Sequence, residues 1–182
     1  PIDGRIIMLF RFGDRIEDEV VYWLNAAGYT VEGQQSGFED YRGFFRGHCD
    51  GIIHGITSMP HILEVKSAND NKFKAFKKAG VRATYAQYYA QCQCYMGYSN
   101  LERALVVVQN KNTSEIYTER IYFNQNDFDA YKCRAKNIIT AIDPPERMFS
   151  EKSIECRWCS SNLACRNGEN ILSDHICGTC RY

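Results

Sequence analysis

Residues 47–66, GHCDGIIHGITSMPHILEVK, place an acid at Asp50 ahead of a Glu64-Val65-Lys66 triplet set in an apolar run. The aliphatic, partly β-branched Ile62, Leu63 and Val65 predict a strand, whose two-residue repeat points Glu64 and Lys66 to one face. The segment Phe44 to Ile56 also reads as strand, and Thr57-Ser58-Met59-Pro60 between the two runs is turn chemistry. Paired as a hairpin, the runs bring Asp50 beside Glu64. Two carboxylates sharing a cleft repel unless a cation lies between them, so a divalent metal site is the economical explanation. His48 and His54 have the strand parity of Asp50 and are further candidate ligands. The bland alternative is a solvated hairpin face.

Upstream, Phe12 to Ala27 reads as a helix, with Ile16, Val20, Leu24 and Ala27 on one stripe, Asp14 placed to cap its start and Gly28 to stop it. Glu17 borders the apolar stripe, whereas Asp18 shares a face with Tyr22 and Asn25. An acid in a first turn is also favourable through the helix dipole alone. Tyr29 to Gln35 is a short strand followed by a polar loop through Tyr41-Arg42-Gly43.

Downstream of Lys66 the chain turns and becomes basic at Lys72, Lys74, Lys77, Lys78 and Arg82. These are candidate contacts to nucleic-acid phosphates, against the alternative of a solvated helix face. A long helix is expected over Val81 to Tyr98, with Gln87, Gln91 and Tyr95 stacked along it. Leu105 to Gln109 is a buried strand, Asn110 to Ser114 a turn, and Glu115 to Phe123 its partner strand. Helical spacing over Asp127 to Ile142 ends at Pro144-Pro145.

The series Asp50, then Glu64-x-Lys66, resembles the PD-(D/E)XK nuclease superfamily, with Cys49 where that motif has proline. RFGDRIEDEV resembles the R-x-G-x-x-x-(E/H) helix of its RecB and lambda-exonuclease branches, and Glu17 stands at the acid-or-His position. Gln91-x-x-x-Tyr95, within Gln93-Cys94-Tyr95-Met96, resembles the Q-x-x-x-Y helix that follows the catalytic strand in RecB-like nucleases. The resemblance spans roughly Arg11 to Cys165. It implies an α/β (α+β) fold, a restriction-endonuclease-like core with a mixed central sheet flanked by helices. It also implies a metal-dependent DNA nuclease, an exonuclease of recombination, repair or end processing. Asp50 and Glu64, supported by Glu17 and the Val65 carbonyl, would hold magnesium or manganese. Lys66 would orient water or stabilise negative charge, and Gln91 and Tyr95 would position DNA or the catalytic groups. Whether Glu17 or His48 supplies the third ligand stays open. The alternatives are a site- or structure-specific endonuclease, and a zinc-containing nucleic-acid-binding module without catalysis.

The chain has 182 residues, 45% hydrophobic and 24% charged, enough for one ordinary domain with a small appendage. Lys+Arg and Asp+Glu both total 22, so nucleic-acid binding must come from local clustering and not from a globally basic field. No run approaches the roughly 18 apolar residues of a membrane span, and no signal peptide is visible. The first residue is Pro1, so missing terminal segments stay open.

Beyond Pro145 the composition changes, and five of the nine cysteines, Cys156, Cys159, Cys165, Cys177 and Cys180, fall in this tail. Two C-x2-C pairs at zinc-ribbon spacing predict a metal-binding module over 151–182 following a nuclease core over 1–150. Zinc is the leading ion. Cys156, Cys159 and Cys165 also resemble the C-terminal cysteines of iron–sulfur nucleases of the AddB and CRISPR-adaptation groups, so a [4Fe-4S] cluster is the alternative. Five cysteines and His175 exceed four ligand places, so one at least is spare. Cysteines read as ligands, without a secretory signal, fit a reducing, cytoplasmic compartment, and the lambda-exonuclease likeness admits a phage-encoded origin. DNA is the expected partner, with a recombination protein or further copies of the chain as additional ones.

Overall fold

The Glu64-x-Lys66 run forms the central strand of a five-stranded mixed sheet. In the computed structural model, which describes residues 4–143, 146, 147, 149–153, 156, 159 and 161–167, the chain opens with α1 (Gly4–Ala26). It continues through β1 (Thr30–Glu32), β2 (Gly37–Asp40), a 3-10 turn (Tyr41–Gly43), β3 (Phe45–His48), β4 (Gly51–His54) and β5 (His61–Ala68). Two helices follow, α2 (Asp70–Thr84) and α3 (Ala86–Ser99), then β6 (Arg103–Asn110), β7 (Ile116–Tyr122), α4 (Gln125–Thr140) and α5 (Asn162–Asn167). The strand order is β1-β4-β5-β6-β7. Among the described strands, only β5 and β6 run parallel, joined by the α2–α3 crossover. The α+β architecture with a mixed, helix-flanked sheet is therefore the one expected.

The first five residues of β5 are buried, as a strand covered on both faces should be. On one face, Ile16, Val20 and Val21 of α1 pack with Ile53, Leu63, Val65 and Val107. On the other, Phe73, Phe76, Val81, Cys92 and Met96 of α2 and α3 pack with Ile62, Ala104, Val106, Val108 and Ile121. The alternation along β5 thus sends Leu63 and Val65 toward α1 and leaves Glu64 and Lys66 on the α2–α3 side.

Three expectations about local structure are corrected. The helix expected from Phe12 begins at Gly4, which puts Asp14 inside it and not at its cap; the run Arg5 to Phe12 holds no strong breaker and extends it. The single strand over Phe44 to Ile56 is two strands in different sheets. β3 pairs with β2 in a separate two-stranded sheet, and the chain crosses to the main sheet at Cys49-Asp50, where Cys49 N–H bonds Ser36 O at 2.9 Å and Gln35 N–H bonds Cys49 O at 3.1 Å. The long helix over Val81 to Tyr98 breaks at Tyr85 (φ −151°, ψ 85°). Gly80 (φ 76°) has already interrupted α2, and the freed Val81 N–H donates to Glu119 Oε2 at 2.7 Å.

Gln93, fully buried on α3, donates to Tyr122 O at 2.9 Å and accepts from Asn124 N–H at 2.8 Å, fixing the exit of β7. One turn on, Gly97 meets Phe128: a Cβ there would lie 2.6 Å from two ring carbons. Gly97→Ala is therefore expected to destabilise the core by about 1–3 kcal/mol, read as a lower urea midpoint at unchanged slope. By packing, the chain divides into Pro1–Ala135 and Lys136–Tyr182.

Candidate active site

The β4–β5 register pairs Gly51 with Leu63 and Ile52 with Ile62. Continued by one residue, it sets Asp50 opposite Glu64. Asp50 is locked there by Val65 N–H, which donates to its Oδ2 at 2.7 Å. Lys66 Nζ pairs with Glu64 Oε1 and lies 3.9 Å from Asp50 Oδ2. The structure thus gathers Asp50, Glu64 and Lys66 at one place, with the Val65 backbone between them.

Glu64 is 1% exposed, and its Oε2 has no hydrogen-bond partner among the described residues. Burial, then Asp50, push its carboxyl up against the opposing pull of Lys66, to about 7. Asp50 is also raised, by burial, although Lys66 and the Val65 N–H lower it. For Lys66, burial would lower the pKa, but Glu64 and Asp50 outweigh it and hold the ammonium protonated. The two partners shift in opposite senses of stability for a simple reason: the lysine faces two carboxylates, while the glutamate faces one ammonium, a second acid and complete burial.

Glu17 comes from α1, half-buried, its Oε1 accepting from Gln35 Nε2 at 3.2 Å. Burial and the charge of Asp50 raise it. It borders an open cleft of about 460 Å³ with Asp14, Asp18, Gln34 and Gln35. Tyr95 is buried on α3 against Gly47, where a Cβ would stand 2.9 Å from its ring, so glycine makes room for it. Its phenol is raised by burial, then by Glu64 and Asp50. Gln91, one turn earlier, is half-buried and makes no side-chain hydrogen bond among the described residues.

Two expected candidates stand elsewhere. His54 Nε2 is 2.8 Å from Glu32 Oε1 on the sheet surface. His48 is exposed on the two-stranded sheet, its ring beside Gly37. The expected basic patch is also partly committed: Lys74 pairs with Asp70 at 2.7 Å, Lys77 with Glu115 at 3.5 Å and Arg82 with Asp127 at 3.2 Å. Lys72 instead lies 3.8 Å over the Tyr85 ring, and Lys78 is exposed.

Sequence reasoning missed Tyr88 and Cys92. Lys66 Nζ lies 5.3 Å from the Tyr88 ring centroid, and the buried Cys92 thiol is raised by burial and then by Glu64. Their signal was the spacing Tyr88, Cys92, Tyr95, one helical face.

Among the described residues, no three His, Cys, Asp or Glu side chains are gathered tightly enough to hold an ion as they stand. Glu17, tied to Gln35, stands apart from the Asp50–Glu64 pair. The chemistry of the pair nevertheless fits a hard divalent cation. Three acids with raised pKa share one lysine, all donors are oxygen, and a buried Glu64 oxygen lacks a partner. In the second unit, Cys156, Cys159 and Cys165 form no disulfide among the described residues; Cys159 N–H bonds Cys156 O at 3.3 Å in a turn, and Arg166 Nη2 donates to Cys156 Sγ at 3.3 Å. Cys177 and Cys180 lie outside the described residues.

No protein-family model and no curated protein sequence matches the chain. Among solved structures it is similar to SSO0001, at 14% identity and a TM-score of 0.54, covering 86% of this chain and 70% of that one. It is likewise similar to LHK-Exo in complex with dAMP, at 14% identity and a TM-score of 0.55, covering 76% and 69%. LHK-Exo is an alkaline exonuclease from Laribacter hongkongensis, whose structure under that description superposes with a TM-score of 0.49 at 14% identity over 71% and 70%. The mixed sheet carrying Asp50, Glu64 and Lys66 accordingly shares its fold with SSO0001 and LHK-Exo.

Proposed function

We propose that the chain is a divalent-metal-dependent deoxyribonuclease of the PD-(D/E)XK type that hydrolyses phosphodiester bonds from DNA ends. The carrying observation is the convergence of Asp50, Glu64 and Lys66 around a buried carboxylate oxygen without a partner. The fold shared with an exonuclease supports it.

Asp50 and Glu64 would hold magnesium or manganese, with the Val65 carbonyl and Glu17 completing the set. Such an ion acidifies bound water and offsets charge on a phosphate. Lys66 stays protonated at working pH and is placed to face negative charge gathering on the phosphate. Val65 N–H fixes one Asp50 oxygen, leaving the other free to bind. Tyr95, neutral and buried, closes one side of the site without adding charge. Gln91 supplies a half-exposed amide one turn from it, suited to a DNA contact. The cysteine module would bind zinc, with a [4Fe-4S] cluster as the alternative that a visible absorption band after anaerobic purification would reveal. A place in cytoplasmic recombination or repair, with a partner protein or in a homo-oligomer, follows from this reading.

Digestion of end-labelled single- and double-stranded DNA, alongside closed circular DNA, tests it. Linear DNA is expected to disappear only with magnesium or manganese, and circles to survive. Cleaved circles would instead mark an endonuclease, and binding without hydrolysis would leave a nucleic-acid-binding module.

A further inference from the structure

Most of the cations around the β5–α2 connection sit on carboxylates. Lys66 holds Glu64, Lys74 holds Asp70, Lys77 holds Glu115 and Arg82 holds Asp127. Lys72 and Lys111 differ: among the described residues, neither has a carboxylate within ion-pair distance. Each rests on a ring instead, Lys72 Nζ 3.8 Å over Tyr85 and Lys111 Nζ 5.7 Å from Phe12.

The backbone around both is pinned. Lys111 N–H donates to Ala68 O at 2.8 Å, two residues beyond the catalytic-type lysine on β5. Asp70 N–H donates to Asn112 Oδ1 at 2.9 Å, and Lys72 N–H to the cap Asn69 Oδ1 at 2.9 Å. The turn after β6 is thereby clamped to the first turn of α2. Asp70, the acid in that turn, is occupied by Lys74 and by Asn110 Nδ2 at 3.2 Å. Burial, and then the charge of Lys111, depress Lys72. Two like charges brought together without a counterion ask for one, as the carboxylates of the active site ask for a cation.

The pair is also continuous with that site. Lys66 lies against Tyr88, Tyr88 against Tyr85 at 4.3 Å between centroids, and Tyr85 under Lys72. Lysines and rings alternate outward from the candidate scissile position. Cations on aromatic faces keep their charge and lose side-chain freedom, which suits them to a fixed anion.

Resting on the nuclease reading, we propose that Lys72 and Lys111 form a second phosphate site, holding a DNA phosphate next to the one positioned at Asp50, Glu64 and Lys66. Tyr85 is the positioning residue for Lys72. The remaining basic residues of α2 that hold acids contribute no phosphate contact.

The test uses the full chain carrying Asp50→Asn, so that DNA is bound and not cut. Binding is measured to end-labelled oligonucleotides in which one neutral methylphosphonate linkage is moved stepwise from the end. Lys72→Gln and Lys111→Gln, at half-exposed and exposed positions that the fold does not depend on, should each weaken binding roughly fivefold and lower the salt slope by about 0.7–0.9. Lys74→Gln with Lys77→Gln should leave the slope unchanged. At one linkage near the end, the neutral group should weaken the Asp50→Asn protein but cost nothing further in the Lys72→Gln, Lys111→Gln double variant. Losses that multiply at every linkage, or an unchanged salt slope, overturn the site. The nuclease reading fails separately: a wild-type chain that does not cleave but shows the coincident linkage keeps the phosphate site and loses the catalysis.

Discussion

Glu64→Gln is expected to abolish metal-dependent DNA cleavage and, in the same preparation, to stabilise the metal-free protein above neutral pH. The loss of activity should be at least about 100- to 1,000-fold, the scale set by removing one group that acts on transition-state charge. The gain in stability has a different origin. Burial holds the Glu64 carboxyl up to about 7, against an ordinary value of 4.5. Between those values the unfolded chain has released a proton that the folded chain retains. Stability therefore falls as pH rises through this window, and the full penalty stands above it. For a shift of this size the penalty is on the order of 3 kcal/mol. A neutral amide of the same shape does not suffer it, and Lys66 keeps Asp50 as its counter-charge. Urea denaturation of both proteins at pH 6 and pH 8.5, without metal, reads the difference directly. A variant that loses stability equally at both pH values would show that Glu64 is chiefly the structural partner of Lys66.

Manganese should raise the melting temperature of the wild-type chain at pH 8 and leave that of Asp50→Asn nearly unchanged. An ion at a hundredfold excess over its dissociation constant contributes about 2.7 kcal/mol. For a chain of this size that corresponds to roughly 5–10 °C. Protons compete with the ion for Glu17, Asp50 and Glu64, all raised, so the increment should shrink as pH falls toward and below 7. Manganese separates this site from the cysteine module, because it prefers oxygen donors and thiolates prefer zinc. An equal increment in Asp50→Asn would move the ion away from the Asp50–Glu64 pair.

The central sheet was legible because its signals were local and redundant. The alternation around Glu64 and Lys66, the turn at Thr57 to Pro60 and the apolar Leu105 to Gln109 each specify a strand unaided. The approach of Asp50 to Glu64 followed from pairing two such strands. What escaped was decided by contacts distant in sequence. The interruption at Gly80 depends on Glu119 receiving the Val81 N–H, thirty-eight residues away, which no helical periodicity encodes. The strand interrupted at Cys49 depends on Ser36 and Gln35 being present as partners. The basic run read as one patch because its acids, Glu115 and Asp127, come from β7's approach and α4. Lys111, by contrast, stood alone in a turn and carried no signal until Ala68 O fixed its N–H.

The transfer of the chain from the small sheet to the large one at Cys49-Asp50 makes residues 36–48 a cassette. Its two ends are tied to each other by the bonds between Ser36 and Cys49, so Asp50 is placed by the frame and not by what the loop contains. The tip, Tyr41 to Gly43, already uses left-handed backbone at Tyr41 and Arg42, and Phe38 stacks 4.1 Å from Tyr98 at the stem. Length and charge can therefore be varied at the tip while the acid beyond it keeps its position. Evolution, or a designer, has here a segment that can be rebuilt without retuning the acid that follows it.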